Sequence, residues 1–265
     1  MKKIGIVGGV AWPSTVDYYT EICRRSERLH VASNLPGMPT MPEISIESLD
    51  LRKAIAYLGT DDDEVSWSRF DDYHRVALQR LEASGAEFAV IASNTPHHRF
   101  AAIVRGIGIP VINLFDVVAR ECARVETRQV LILGTALTMR SEKFREAFAA
   151  VGIDAAAPQD EAAWTSTIDL IAELQRGTLD GAAERIGRIA RSSFKPPFIA
   201  QPAVCLACTE LALAFPEQKT LALCELNGIT YINTSAMHIG ATFDFAVSEV
   251  DSTIPPPASW RRRDP

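Results

Sequence analysis

Lys3-Ile4-Gly5-Ile6-Val7-Gly8-Gly9, at the start of the chain, is a short apolar run closed by glycines. A run this short, bounded by glycine, reads as a strand buried on both faces with a tight turn after it. Ser14 to Leu29 follows with helical character. The same unit then recurs. Phe88-Ala89-Val90-Ile91-Ala92, Val111 to Leu114, Val130 to Leu133 and Ala203-Val204-Cys205-Leu206-Ala207 read as further buried strands. Glu43 to Leu51 alternates apolar positions and reads as another. Phe70 to Ser84, Val117 to Val125, Ser141 to Val151, Thr167 to Arg176 and Ala182 to Ser192 carry helical spacing. Strands alternating with helices predict an α/β fold with parallel sheets. The acidic run Asp61-Asp62-Asp63-Glu64 reads as a loop leading into a helix N-terminus, which the helix dipole favours, rather than as a metal site.

The chain has 265 residues, 47% of them hydrophobic and 23% charged. This length accommodates one large or two small domains. The apolar content excludes the disordered class. A net charge of −6, with its only basic run at Arg261-Arg262-Arg263, argues against nucleic acid as a partner. No stretch of 18 uninterrupted apolar residues is present, so no membrane span is predicted. The first ten residues mimic a short signal peptide, but they hold three glycines and lead to no small-x-small cleavage site. Five cysteines, at 23, 122, 205, 208 and 224, are an odd count in a long chain. That pattern predicts reduced thiols and a cytoplasmic location. Residues 251–265, rich in proline and arginine, read as a mobile C-terminal tail.

Two short stretches echo each other. Ala92-Ser93-Asn94-Thr95 and Ala207-Cys208-Thr209-Glu210 each follow a buried strand and each place a small polar side chain at its C-terminal end. Ile6-Val7-Gly8-Gly9 and Ile132-Leu133-Gly134-Thr135 form a second echo. In parallel sheets, ligands bind outside the carboxyl ends of the strands. Two similar halves facing each other would set Ser93 and Cys208 on opposite walls of one cleft.

The glycine spacing G-x-x-G-G does not match a dinucleotide fingerprint. A tight turn, or backbone amides holding a carboxylate, are the remaining readings. Cys208 at a helix N-terminus is expected to have a lowered pKa, whereas Cys205 suits a buried inert thiol. Cys205-x-x-Cys208 lacks the second pair that zinc needs, and in a strand the two positions point to opposite faces. No metal is expected. Ser93 needs a base, and His97 is four residues on, but no G-x-S-x-G elbow surrounds it. His98 reads as a helix-surface residue and His238 as a buried core or cleft residue.

Together these residues resemble the aspartate/glutamate racemase family over most of residues 1–250. Ile4-Gly5-Ile6-Val7-Gly8-Gly9-Val10-Ala11-Trp12-Pro13-Ser14-Thr15 is similar to the family's I-G-x-x-G-G-x-x-W-x-S-T. Gly85-Ala86-Glu87 through Ser93-Asn94-Thr95-Pro96-His97 resembles G-A-[DE]…C-N-T-x-H. Gly134-Thr135 with Thr138-Met139 resembles G-T-x-x-T-M, and Ala207-Cys208-Thr209-Glu210-Leu211 resembles G-C-T-E-[IL]. His238 falls on the family's histidine before the last helix.

The resemblance implies two similar, pseudo-two-fold related α/β domains with parallel sheets and the active site in the cleft between them. The expected division is 1–104 plus 216–250 for the first domain and 105–215 for the second. It implies cofactor-independent racemisation of an amino acid, most directly aspartate or glutamate. Two groups on opposite sides of Cα would remove and redeliver a proton. Cys208 and Ser93 are the expected catalytic pair. Gly8, Gly9, Asn94, Thr95, Thr135 and Thr209 are the expected substrate contacts, with His97, Glu210 and His238 in support. The implied partners are a small amino acid or dicarboxylate and a second copy of the chain in a homodimer.

Three positions depart from the family pattern. Ser93 stands for its first cysteine, Ala207 for a glycine, and Trp164 and Thr165 where a basic residue belongs. Lys195, Arg52 and Arg140 are candidates to supply the missing charge. With a single thiol, decarboxylation or cis-trans isomerisation on the same scaffold, and non-catalytic binding of a small carboxylate, are alternative readings.

Overall fold

A computed structural model describes residues 1–60, 63–125, 127–194 and 203–248. The chain forms two compact units, Met1–Asn113 with the residues from Ile239 onward, and Leu114–His238.

In the first unit, β1 (Ile4–Gly8) leads into α1 (Trp12–Ala32), then β2 (Ile44–Ser48), α2 (Leu51–Ala56), α3 (Ser68–Ala83), β3 (Phe88–Ile91), α4 (Phe100–Ile103) and β4 (Val111–Ile112). All pairings are parallel, in the order β2-β1-β3-β4. Every residue of β1 and of β3 is buried. That is why these strands read as continuous apolar runs: helices cover both faces of a parallel sheet. Gly9 turns the chain after β1 at φ +85°, where a Cβ would lie 2.2 Å from Leu49 O. Only glycine fits there. The register pairs Val7 with Ile91 and Gly8 with Ser48, so the C-terminal ends of β1, β2 and β3 are level.

In the second unit, α5 (Leu114–Arg124) is followed by β5 (Gln129–Gly134), α6 (Ala136–Arg140), α7 (Glu142–Ala149), β6 (Asp154–Ala156), α8 (Glu161–Gln175), α9 (Ala182–Ser193), β7 (Ala203–Ala207), β8 (Leu223–Leu226) and β9 (Ile229–Asn233); α10 (Thr234–Val247) begins in this unit and belongs to the first from Ile239. The order is β6-β5-β7-β9-β8, parallel except for β8, which pairs antiparallel with β9. Gly134 is level with Ala207, and Leu206 with Asn233. A Cβ on Gly134 would lie 2.8 Å from Ala207 O, so glycine permits the close approach of β5 to β7. Apolar side chains of α8, α9, β5 and β7 form one cluster, and Phe115 stacks on Phe144 with centroids 4.1 Å apart.

The division differs from the sequence expectation at both boundaries. β4 hydrogen-bonds to β3, which keeps residues through Asn113 in the first unit. β9 pairs with β7, so residues 216–238 extend the second sheet rather than returning to the first unit. The return begins at Ile239. From there Phe245 packs on Phe88, with centroids 4.6 Å apart, and Ala246 O accepts from Lys2 N–H at 2.8 Å. The expected tail at 251–265, together with Asp61, Asp62 and Lys195, lies outside the described residues. Among the described residues, no helix is long and apolar enough to cross a membrane.

Candidate active site

β7 ends at Ala207, and the next residue, Cys208, opens a 3-10 turn over Thr209–Ala214. Strand backbone carries into Cys208 at φ −140° and ψ 135°. The thiol is 6% exposed. Its Sγ donates to Glu210 Oε2 at 2.9 Å, and the Thr209 hydroxyl donates to the same oxygen at 3.0 Å. Gln175 Nε2, at the end of α8, donates to the other carboxylate oxygen at 3.3 Å.

Burial pushes the Cys208 thiol well above its ordinary range, and the Glu210 charge and the hydrogen bond to it push the same way. The backbone N–H groups of Thr209 and Glu210 act oppositely, favouring thiolate. The sequence expectation of a lowered thiol pKa is therefore corrected. Burial, with the Glu210 carboxylate adding to it, outweighs the backbone N–H groups of the short 3-10 segment that follows. Cys205 lies in the strand and feels Cys122 rather than Glu210. The two cysteines thus project to different sides of the sheet, as strand alternation requires.

β3 ends at Ile91, and Ser93 and Asn94 precede a 3-10 turn over Thr95–Arg99. Ser93 is 9% exposed. Asn94 is buried, and neither Oδ1 nor Nδ2 has a hydrogen-bond partner among the described residues. A buried amide left unpaired at both ends is costly and calls for a ligand or another explanation. Thr95 is half-buried at the start of the turn.

His97 is buried and donates from Nε2 to Ile91 O at 3.3 Å. Its side chain also hydrogen-bonds Asn113, just past β4. Burial holds the imidazole down to about 4, against raising contributions from Ile91 and Asn113 and a further lowering one from His74. His97 is a neutral ring that ties the turn to two strand ends. Its lowered pKa makes the ring a weak base for Ser93, although the spacing suggested that role. Asn113 was missed by the sequence reading. Its only signal is a polar residue directly after the apolar pair Val111-Ile112.

Among the expected substrate contacts, Gly8 and Gly9 shape the turn after β1. A Cβ on Gly8 would lie 2.5 Å from Thr15, and the Gly9 N–H donates to Thr15 Oγ1 at 2.9 Å. Thr135 caps α6, accepting from Thr138 N–H at 3.3 Å. Its position directly after Gly134 is level with Cys208 after Ala207. His238 is fully buried within α10 rather than before it. Arg140 lies over the Trp164 ring, 5.8 Å from its centroid, and Arg52 is exposed at the start of α2.

A hydroxyl in the first unit and a thiol in the second thus stand just beyond an inner parallel strand. The family model for Asp/Glu/hydantoin racemases matches residues 7–242. The chain belongs to this family. Its members among the structural neighbours are isomerases. An aspartate racemase homologue from Pyrococcus horikoshii is 25% identical, with 94% of this chain and 100% of that chain covered and a TM-score of 0.69. A candidate Asp/Glu racemase from Yersinia pestis is 24% identical over 94% and 100% of the two chains, with a TM-score of 0.75. Picrophilus torridus aspartate racemase is 19% identical over 92% and 94%, with a TM-score of 0.66. The last two similarities speak to the fold.

Proposed function

We propose that the protein is a cofactor-independent amino-acid racemase acting on aspartate, glutamate or both, with unequal bases. The observation that carries this reading is the buried Cys208 thiol hydrogen-bonded to Glu210 at 2.9 Å. A thiol is inert as a base until it loses its proton, and Glu210 is placed to take it. The Thr209 and Glu210 N–H groups then hold the negative sulfur. The thiolate takes the Cα proton, re-forming S–H and leaving the electron pair on the substrate's enolate. Ser93 gives its hydroxyl proton to the opposite face of Cα, and the proton that Glu210 took returns through water to the serine alkoxide. The product is the inverted amino acid, with no net change in protons.

Donors at the strand ends would stabilise the enolate oxygens as charge develops. Asn94 supports this role because its amide is buried and unpaired. Thr95, Thr135 and Thr209 stand in the segments just beyond β3, β5 and β7. A serine hydroxyl is a far weaker acid than a thiol, so proton transfer at Ser93 limits the rate and the two directions differ. The racemase names of the relatives favour this reading over decarboxylation, cis-trans isomerisation or binding without turnover.

Proton NMR in heavy water tests it, with L- and D-aspartate and L- and D-glutamate supplied separately. Loss of the Cα–H signal that disappears in Cys208→Ala is the expected result. Absence of exchange from all four amino acids would overturn the proposed substrate.

A further inference from the structure

We propose that Ser14, the N-terminus of α1 and the Asn94 amide form a carboxylate-holding subsite in the first unit. The inference rests on the racemase reading for the ligand's identity, an amino acid, and adds Ser14 to its substrate contacts.

Three observations converge. The first is the end of α1 itself. This 21-residue helix begins after Ala11, which provides no side-chain cap, and its first turn holds no acidic residue. Its positive end and unpaired N–H groups favour an anion there. The second is Ser14. It is 2% exposed, and its Oγ has no hydrogen-bond partner. It shares the buried stripe of α1 with Tyr18 and Ile22, so it lies on the sheet-facing side of the first turn. A buried hydroxyl without a partner costs about 1–3 kcal/mol, and most such groups in native proteins are satisfied. The third is Asn94, whose amide is buried and unpaired at both atoms.

Topology brings the three to one edge. β1 and β3 are adjacent and parallel, with Val7 level with Ile91. Residues 8–14 and 92–94 therefore leave the same end of neighbouring strands. The turn between β1 and α1 is held closed by the Gly9 N–H bond to Thr15 Oγ1 at 2.9 Å, which fixes where Ser14 stands. A carboxylate accepts several hydrogen bonds. Ser14 offers one O–H and Asn94 its NH₂, and Trp12 and Ser14 can offer backbone N–H groups, since Pro13 has none and Thr15 N–H is bonded to Ala11 O. The ligand group is either the α-carboxylate or a side-chain carboxylate.

The experiment compares Ser14→Ala with its parent in the full-length chain. Affinities for L-aspartate and L-asparagine are measured by calorimetry in a Cys208→Ala background, which holds substrate without turnover. Cα–H exchange is followed in parallel with Cys208 intact. Ser14→Ala is expected to weaken aspartate binding by about tenfold or more, the loss of a hydrogen bond to a charged group. The free protein should melt at the same or a higher temperature, because an unpaired buried hydroxyl is removed. Equal weakening for both ligands assigns the α-carboxylate, and weakening for aspartate alone assigns the side chain. Unchanged affinity for both, no binding of either by the parent, or a clear fall in the melting temperature of the free protein would overturn the subsite. Weakened binding without any Cα–H exchange would leave the subsite standing and remove the racemase reading. Exchange with unchanged affinity would do the reverse.

Discussion

At the end of β7, Cys208 has a carboxylate 2.9 Å from its sulfur and two backbone N–H groups on it. At the end of β3, Ser93 occupies the corresponding position, followed by an unpaired Asn94 and by a histidine whose ring serves the backbone. One strand end carries a proton acceptor for its reactive group, whereas the other carries donors and a neutral ring. The difference teaches that a likeness of backbone does not make two ends equivalent as bases. In the proposed mechanism Cys208 gives its proton to Glu210, whereas Ser93 gives one up only as the substrate demands it.

The most severe break removes the equipped end. Cys208→Ala should lower Cα–H exchange by about 10²–10⁴-fold for either enantiomer, the usual contribution of a positioned base. Proton NMR in heavy water reads it. Making the ends alike is the next test. Ser93→Cys should narrow the ratio of the two directional rates by about tenfold or more, since each 1.4 kcal/mol of barrier is tenfold in rate. Polarimetry from each pure enantiomer would measure the ratio, and a ratio no different from wild type would mean that Ser93 is not the second base.

Removing the acceptor at Cys208 gives a smaller effect with a defined sign. Glu210 raises the thiol pKa through its charge and its hydrogen bond. Glu210→Gln should therefore shift thiolate formation to lower pH while cutting turnover about tenfold. The pH dependence of alkylation, read by mass spectrometry on Cys208, shows the shift. Burial remains, so the thiol stays above the ordinary cysteine range.

The last test concerns the ring at the β3 end. His97 is held neutral to about pH 4, against 6.5 in the unfolded chain. The unfolded state binds the proton first. Stability is therefore full above pH 6.5 and falls as the pH drops from 6.5 toward 4, by at most ~3 kcal/mol from this group. His97→Gln should flatten that part of the urea-unfolding profile between pH 7 and 5. A slope unchanged in the variant would assign the acid sensitivity elsewhere, with buried His74, also held below its ordinary value, the next residue to replace.

Much of the site was legible because parallel strands are buried on both faces. Ile4 to Gly8, Phe88 to Ile91 and Ala203 to Ala207 stand out as apolar runs, and the first polar residues after them fall at the ligand edge. Ser93, Asn94, Cys208 and Thr209 could be placed in this way. The state of those groups was not legible. The thiol reads as activated from its place before a helix, yet burial, joined by the carboxylate two residues on, reverses the shift. His97 reads as a base from its spacing, yet its lowered pKa makes it a weak one. Ser14 stands in a quoted motif without a role, because burial without a partner leaves no mark in the residue order.

The residue sequence by itself determined the α/β class, the strand-end positions of the reactive groups and the family, since hydrophobic periodicity and motif spacing are local properties. Tertiary structure alone decided where the units divide, because β4 and β9 are assigned by the strands they pair with and not by their own composition. It also decided which polar groups are paired. Gln175 meets Glu210 across 35 positions of chain, whereas the Ser14 hydroxyl and the Asn94 amide meet no hydrogen-bond partner among the described residues. Hydrogen bonding and desolvation depend on what surrounds a group in space, and those neighbours are set by the packing of distant elements.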